Sequence, residues 1–105
     1  MKYYVYVIRL DTAVLKSRKF KQLNPNVMSD CPCFYVGQSC HPPEIRFWQH
    51  KKGYKSNRFV KRYGLGLCPQ FYEKFNPIDT RKEAERIEAN LTKRLRTKGY
   101  GVWSN

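Results

Sequence analysis

Acidic residues are scarce in this chain. Eight Asp and Glu stand against 21 Lys and Arg in 105 residues, a formal net charge of +13. Self-repulsion of that size opposes compaction and points to a polyanionic partner, either nucleic acid or an anionic membrane surface. Long apolar runs are missing too: no window approaches the ~20 apolar residues that span a bilayer. The stretch Met1–Leu10 is too short for a secretory leader, is broken by Arg9 and lacks a small-residue cleavage site. The expectation is an intracellular protein, cytoplasmic or nucleoid-associated. No repeat, helix-turn-helix or zinc finger is visible, and no amphipathic basic helix carries an exposed aromatic face, which sets the membrane aside. Length leaves room for a single domain over residues 1–105. A disordered basic tail is excluded by 41% hydrophobic and 15% aromatic content. Cys31, Cys33, Cys40 and Cys68 do not form paired Cys-x2–4-Cys knuckles, so they read as reduced thiols rather than a zinc site.

Residues 3–8, Tyr-Tyr-Val-Tyr-Val-Ile, are continuously aromatic or β-branched and suit a central strand over 2–9 covered on both faces. Residues 11–32 carry Asn24-Pro25-Asn26, Ser29-Asp30 and Pro32, the composition of a long loop insertion, with room for a helical turn around 13–19. Cys33–Gly37 reads as a second strand forming a hairpin with the first. Gly37 either ends it or admits a close approach to the backbone. Helices are expected over Glu44–Lys52 and Ser56–Tyr63, each followed by glycine, and a third strand over 70–75. Thr80-Arg81-Lys82-Glu83 fits a capping box that opens a helix over 81–97. On that helix Ala84, Ile87, Leu91 and Leu95 fall within an arc of about 80°, and Glu88 lies about 40° from Ala84, beside this apolar stripe. An acid aimed toward a core is costly unless a cation or a metal accompanies it.

Read in order, Tyr4-Val5-Tyr6, Tyr35-Val36-Gly37, Arg46-Phe47 with His50, Glu88-Ala89-Asn90-Leu91 with Lys93, and Asn105 resemble the successive motifs of the GIY-YIG nuclease family over nearly the whole chain. The resemblance implies a small α/β (α+β) domain, a three-stranded antiparallel sheet flanked by helices, that hydrolyses DNA phosphodiesters with a metal ion. It assigns the catalytic positions to Tyr6, Tyr35, Arg46, His50 and Glu88, with Tyr6 as general base and Glu88 as the ligand of Mg²⁺ or Mn²⁺. Tyr4, Gly37, Ser39 and Asn105 take supporting places near the site. Two features depart from the pattern. Tyr4 stands where glycine is frequent, and 28 residues separate Tyr6 from Tyr35, far more than the usual hairpin connection. Gln38 follows Gly37 where some members have a lysine.

Phosphodiester hydrolysis needs an activated water, a cation on the phosphoryl oxygens and help for the leaving 3′ oxygen. Glu88 is a hard oxygen ligand, and Mg²⁺ keeps several waters, so one carboxylate suffices. Arg46 offers a permanently charged planar fork matched to phosphate. A phenol with a pKa near 10 needs surrounding cations to act as a base, with Tyr35 and His50 orienting it or relaying its proton. Outside this pattern, Tyr6 and Tyr35 read as ordinary strand aromatics, Arg46 and His50 as helix-surface residues, and Glu88 as an ion-pair partner of Arg81 or Lys93.

Lys51, Lys52, Lys55, Arg58, Lys61 and Arg62 form a DNA-binding run, supplemented by Lys16, Arg18, Lys19 and Lys21 of the insertion. Such contacts supply affinity without sequence information. The expected activity is nicking of one DNA strand per site, directed by DNA structure or by a targeting partner protein. The alternative is a non-catalytic DNA- or RNA-binding module on the same fold.

Overall fold

In a computed structural model describing residues 1–104, the apolar run at the amino end forms strand β1 (Tyr4–Leu10), buried except at Tyr4 and Arg9. Strand β2 (Cys33–Ser39) pairs antiparallel with it in unbroken register, Tyr6 opposite Gly37 and Ile8 opposite Tyr35. This is the expected hairpin partner. The sheet goes further. Strand β3 (Gly64–Leu67) lies antiparallel on the outer side of β1, and β4 (Gly101–Ser104) joins β2 in parallel, giving the order β3-β1-β2-β4. The domain is therefore α+β with a four-stranded mixed sheet, which corrects the expected three-stranded antiparallel one. Residues 70–75 are not a strand; they follow from a 3-10 turn at Pro69–Phe71, and the Phe71 ring meets Phe34 edge-on 5.3 Å away. Aromatic content signals a surface to be packed rather than an extended backbone. Gly64–Leu67, with two glycines, is a strand only because the edge of β1 offers its backbone groups partners.

The insertion is built rather than looped. Asp11 accepts from the Ala13 N–H (2.9 Å) to open a 3-10 turn, Thr12–Lys16. Ser17 accepts from the Phe20 N–H (3.3 Å) to open helix α1 (Arg18–Leu23). Val14, Phe20 and Asn24 are buried, so the polar-looking segment carries its own core anchors.

Helix α2 (Pro43–Lys52) starts on proline and stops at Gly53 in the left-handed region, φ 87°. Helix α3 (Arg58–Tyr63) is capped by Asn57 rather than Ser56. Helix α4 (Arg81–Thr97) has the expected Thr80 cap on the Glu83 N–H and buries Ala84, Ile87, Leu91 and Leu95. Strand alternation then sorts the layers. Tyr6, Ile8, Tyr35, Gly37 and Trp103 share the face covered by α1, α2 and α3, with Phe20 and Phe59 against Trp103. The opposite face, Val5, Val7, Phe34, Val36 and Val102, packs against α4, Phe71 and Tyr100. Asn24 ties the insertion to this frame: its Oδ1 accepts from the Val102 N–H and from Arg96 Nε, while its Nδ2 donates to Phe20 O. Among the described residues no helix is long and apolar enough to cross a membrane.

Candidate active site

Tyr6 sits mid-β1, 1% exposed, with its ring directly over Gly37 of the neighbouring strand. A Cβ at Gly37 would lie 2.6 Å from both Cζ and Oη of Tyr6 and 3.0 Å from Tyr35 Cε2. Of the two readings of this glycine, close approach is the one realised. Tyr6, Tyr35 and His50 form one aromatic cluster with ring centroids 5.4–6.1 Å apart.

The histidine's protonation follows from its partners. The Asn57 backbone N–H points at His50 Nδ1 (3.0 Å), and an amide can only donate, so Nδ1 is an acceptor. Burial and the nearby Arg46 charge push the His50 pKa down to about 4, so the ring is neutral near pH 7. Its single proton then resides on Nε2, 3.0 Å from Tyr6 Oη, and His50 donates to the phenol oxygen. That bond favours the phenolate. Because Nε2 already carries a proton, His50 orients Tyr6 and does not relay the proton that Tyr6 would take. Burial, first, and then Tyr35 raise the Tyr6 pKa well above 10, Arg46 opposes the rise, and Glu88 adds to it. The phenol is thus within electrostatic reach of both the guanidinium and the carboxylate.

Arg46 lies on α2 beside an open cleft of about 250 Å³ whose walls include Ser39, Gln49, Tyr54, Lys55 and Arg81. Its Nη1 donates to Gln49 Oε1 and Tyr54 O (3.3 Å each), and its Nη2 donates to Lys55 O (2.6 Å). Three of five donors are used. Among the described residues the Nε–H and one Nη2–H have no partner, which leaves the guanidinium two donors of the kind a phosphate accepts.

Glu88 approaches from the helix on the other face of the sheet. It is 8% exposed, its Oε2 is buried without a hydrogen-bond partner, and burial with help from Glu85 pushes its pKa up to about 7. The ion pairs among the described residues, Lys2–Asp79 and Glu83–Arg86, leave it out, so the alternative pairing with Arg81 or Lys93 is not made. An orphaned buried carboxylate oxygen is the donor a hard divalent cation requires, and on that ground the residue fits Mg²⁺ or Mn²⁺. No group of three or more His, Cys, Asp or Glu that could hold a metal occurs among the described residues. Among the described residues the pairing of β2 with β4 ends at Val36 and Ser104, one residue before Gly37.

The expected residues therefore do not all line one cleft. Arg46 and Ser39 do; Tyr6, Tyr35, His50 and Gly37 form a buried cluster; Glu88 stands behind the sheet; Tyr4 is half-buried at the start of β1; and Asn105 lies outside the described residues. Lys52, Lys55, Arg58, Lys61 and Arg62 are exposed. Lys51 is exposed too, yet its Nζ donates to Lys61 O (3.1 Å) and Gly64 O (3.0 Å), closing the end of α3. Asn57, Gln49 and Tyr54 were not among the expected site residues, and Arg81 was expected only as a helix-surface cation or a partner of Glu88. An Asn before Arg58-Phe59-Val60 is a readable cap signal; the other three meet in the cleft only through tertiary packing. Cys31, Cys33, Cys40 and Cys68 are free thiols. No family model, curated protein or solved structure matches the chain.

Proposed function

We propose that the chain is a metal-dependent DNA endonuclease of the GIY-YIG kind, nicking one strand per active site. The observation that carries this reading is the Tyr6 oxygen, which accepts from a histidine locked in its neutral form while both Arg46 and Glu88 act on the phenol electrostatically. Arg46 binds the scissile phosphate through its two unused donors. Tyr6 acts as the phenolate: once its phenol has given its own proton to solvent it takes a proton from the attacking water, and the bond from the His50 Nε2–H favours that ionised form against the burial that raises its pKa. Tyr35 packs the phenol in position, and Gly37 leaves room for it. Glu88 would hold Mg²⁺ or Mn²⁺, which would supply positive charge for the phosphoryl and leaving oxygens. The exposed cations on α2 and α3 supply salt-sensitive affinity, and with no base-reading element the substrate is selected by DNA structure or by a targeting partner.

A second reading, a nucleic-acid-binding module without turnover, draws on the burial of Tyr6 (1% exposed) and Glu88 (8% exposed). Nicking of supercoiled plasmid separates the two. Under the nuclease reading the wild type nicks with Mg²⁺ and not with EDTA, and Glu88→Ala and Tyr6→Phe abolish nicking while circular dichroism shows a retained fold. Metal-independent nicking, or no nicking of plasmid, flapped and branched DNA alike by folded wild type, refutes it.

A further inference from the structure

The cleft beside Arg46 has an aromatic wall that phosphate binding does not need. Tyr54 lies 56% exposed there, its ring open to solvent, and the Lys55 ammonium sits 5.6 Å from its centroid. The ring is fixed to the phosphate clamp through the backbone, because the carbonyls of Tyr54 and Lys55 are the acceptors that hold the Arg46 guanidinium. The turn that presents them is strained. Lys55 has φ 44°, the one positive-φ residue other than glycine among the described residues. A side-chain-bearing residue in the left-handed region is maintained only where its surroundings demand it, and such positions gather at ligand clamps. Arg81 and Ser39 also line the cleft, adding a cation and a hydroxyl.

We infer that this cleft takes an unpaired nucleotide of a DNA strand, its phosphate on the free edge of Arg46 and its base stacked on Tyr54. A cavity of about 250 Å³ admits one base with its phosphate, whereas paired bases in an intact duplex do not present a face for stacking. This inference rests on the endonuclease reading and narrows its substrate class to DNA with single-stranded character, such as flaps, gaps and junctions.

The test is binding in EDTA, so that it is independent of turnover. Fluorescence anisotropy compares a short single-stranded oligonucleotide with a blunt duplex of the same length, for wild type, Tyr54→Ala and Tyr54→Phe. Stacking of one base is worth roughly a factor of five to a hundred on removal of the ring. Tyr54→Ala therefore lowers the ratio of single-strand to duplex affinity about tenfold or more, and Tyr54→Phe keeps the wild-type ratio. The backbone acceptors of Arg46 survive both changes, which leaves the phosphate clamp intact. An unchanged ratio in Tyr54→Ala, or equal losses on both substrates, overturns the inference. Failure to cut plasmid, flapped and branched DNA with Mg²⁺ alongside the expected ratio change would instead remove the nuclease reading and leave the stacking site standing.

Discussion

Substituting Glu88 by glutamine should make the protein more stable, by an amount that grows as pH rises from 4.5 and levels off above 7. The carboxyl titrates near 4.5 in an unfolded chain and near 7 in the folded one, where it has neither a cation nor a hydrogen bond for Oε2. Unfolding therefore releases a proton between those values, and the native state loses stability as pH rises from 4.5 to 7. At about 1.4 kcal/mol for each pKa unit the loss reaches about 3 kcal/mol when Glu88 is fully ionised. His50 works in the other direction. Its folded pKa near 4 lies below the ordinary 6.5, so stability is lost as pH falls from 6.5 to 4, again by about 3 kcal/mol. The two slopes oppose one another across the same window, and their sum leaves the wild type nearly flat between pH 4.5 and 6.5. Glu88→Gln, close in volume and uncharged, removes one of them. Urea denaturation in metal-free buffer should find the variant about 3 kcal/mol more stable than wild type at pH 8, with an unchanged denaturant slope, and about equal to it at pH 4.5. Millimolar Mg²⁺ should stabilise the wild type at pH 8 and leave the variant unmoved, since a ligand binding only the native state raises its stability. A variant no more stable than wild type at pH 8, or one whose advantage is the same at both pH values, refutes the account of Glu88 as an uncompensated buried acid.

Gly37→Ala should cost about 1–3 kcal/mol, because its methyl meets the Tyr6 hydroxyl at 2.6 Å, and should abolish nicking in the molecules that remain folded; Gly66→Ala, with open space around its Cβ, should change neither. Lys51→Met should lower stability by about 1 kcal/mol through the two carbonyls it leaves unpaired, whereas Lys52→Met should not, as thermal denaturation of both would show. Charge removal at Lys52, Lys55, Arg58 and Arg62 should flatten the dependence of duplex binding on salt, the slope of log K against log salt falling by about 1 for each phosphate no longer neutralised; an unchanged slope would take the DNA off this face.

Local pattern determined much of this protein. The buried strand at the amino end, the hairpin partner at residue 33, the capped helix over 81–97 and the placement of Glu88 beside its apolar stripe all follow from periods of two and 3.6 and from capping chemistry, interactions that reach only a few residues along the chain. The pairing of Gly64–Leu67 with Ile8–Leu10 and the parallel addition of β4 to β2 were not legible, because short glycine-bearing strands owe their form to the edge they meet. The insertion reads as loop since its anchors, Val14, Phe20 and Asn24, are single residues whose partners lie up to 78 positions away. At the site, the motif residues were visible one by one, yet the neutrality of His50 depends on the Asn57 amide, the free edge of Arg46 on the carbonyls of Tyr54 and Lys55, and the unpaired state of Glu88 on which cations the fold keeps away from it. Burial and hydrogen-bond partnership are properties of the packed chain, and they decided which of its many charged and aromatic groups lie together in the candidate site and in what protonation state.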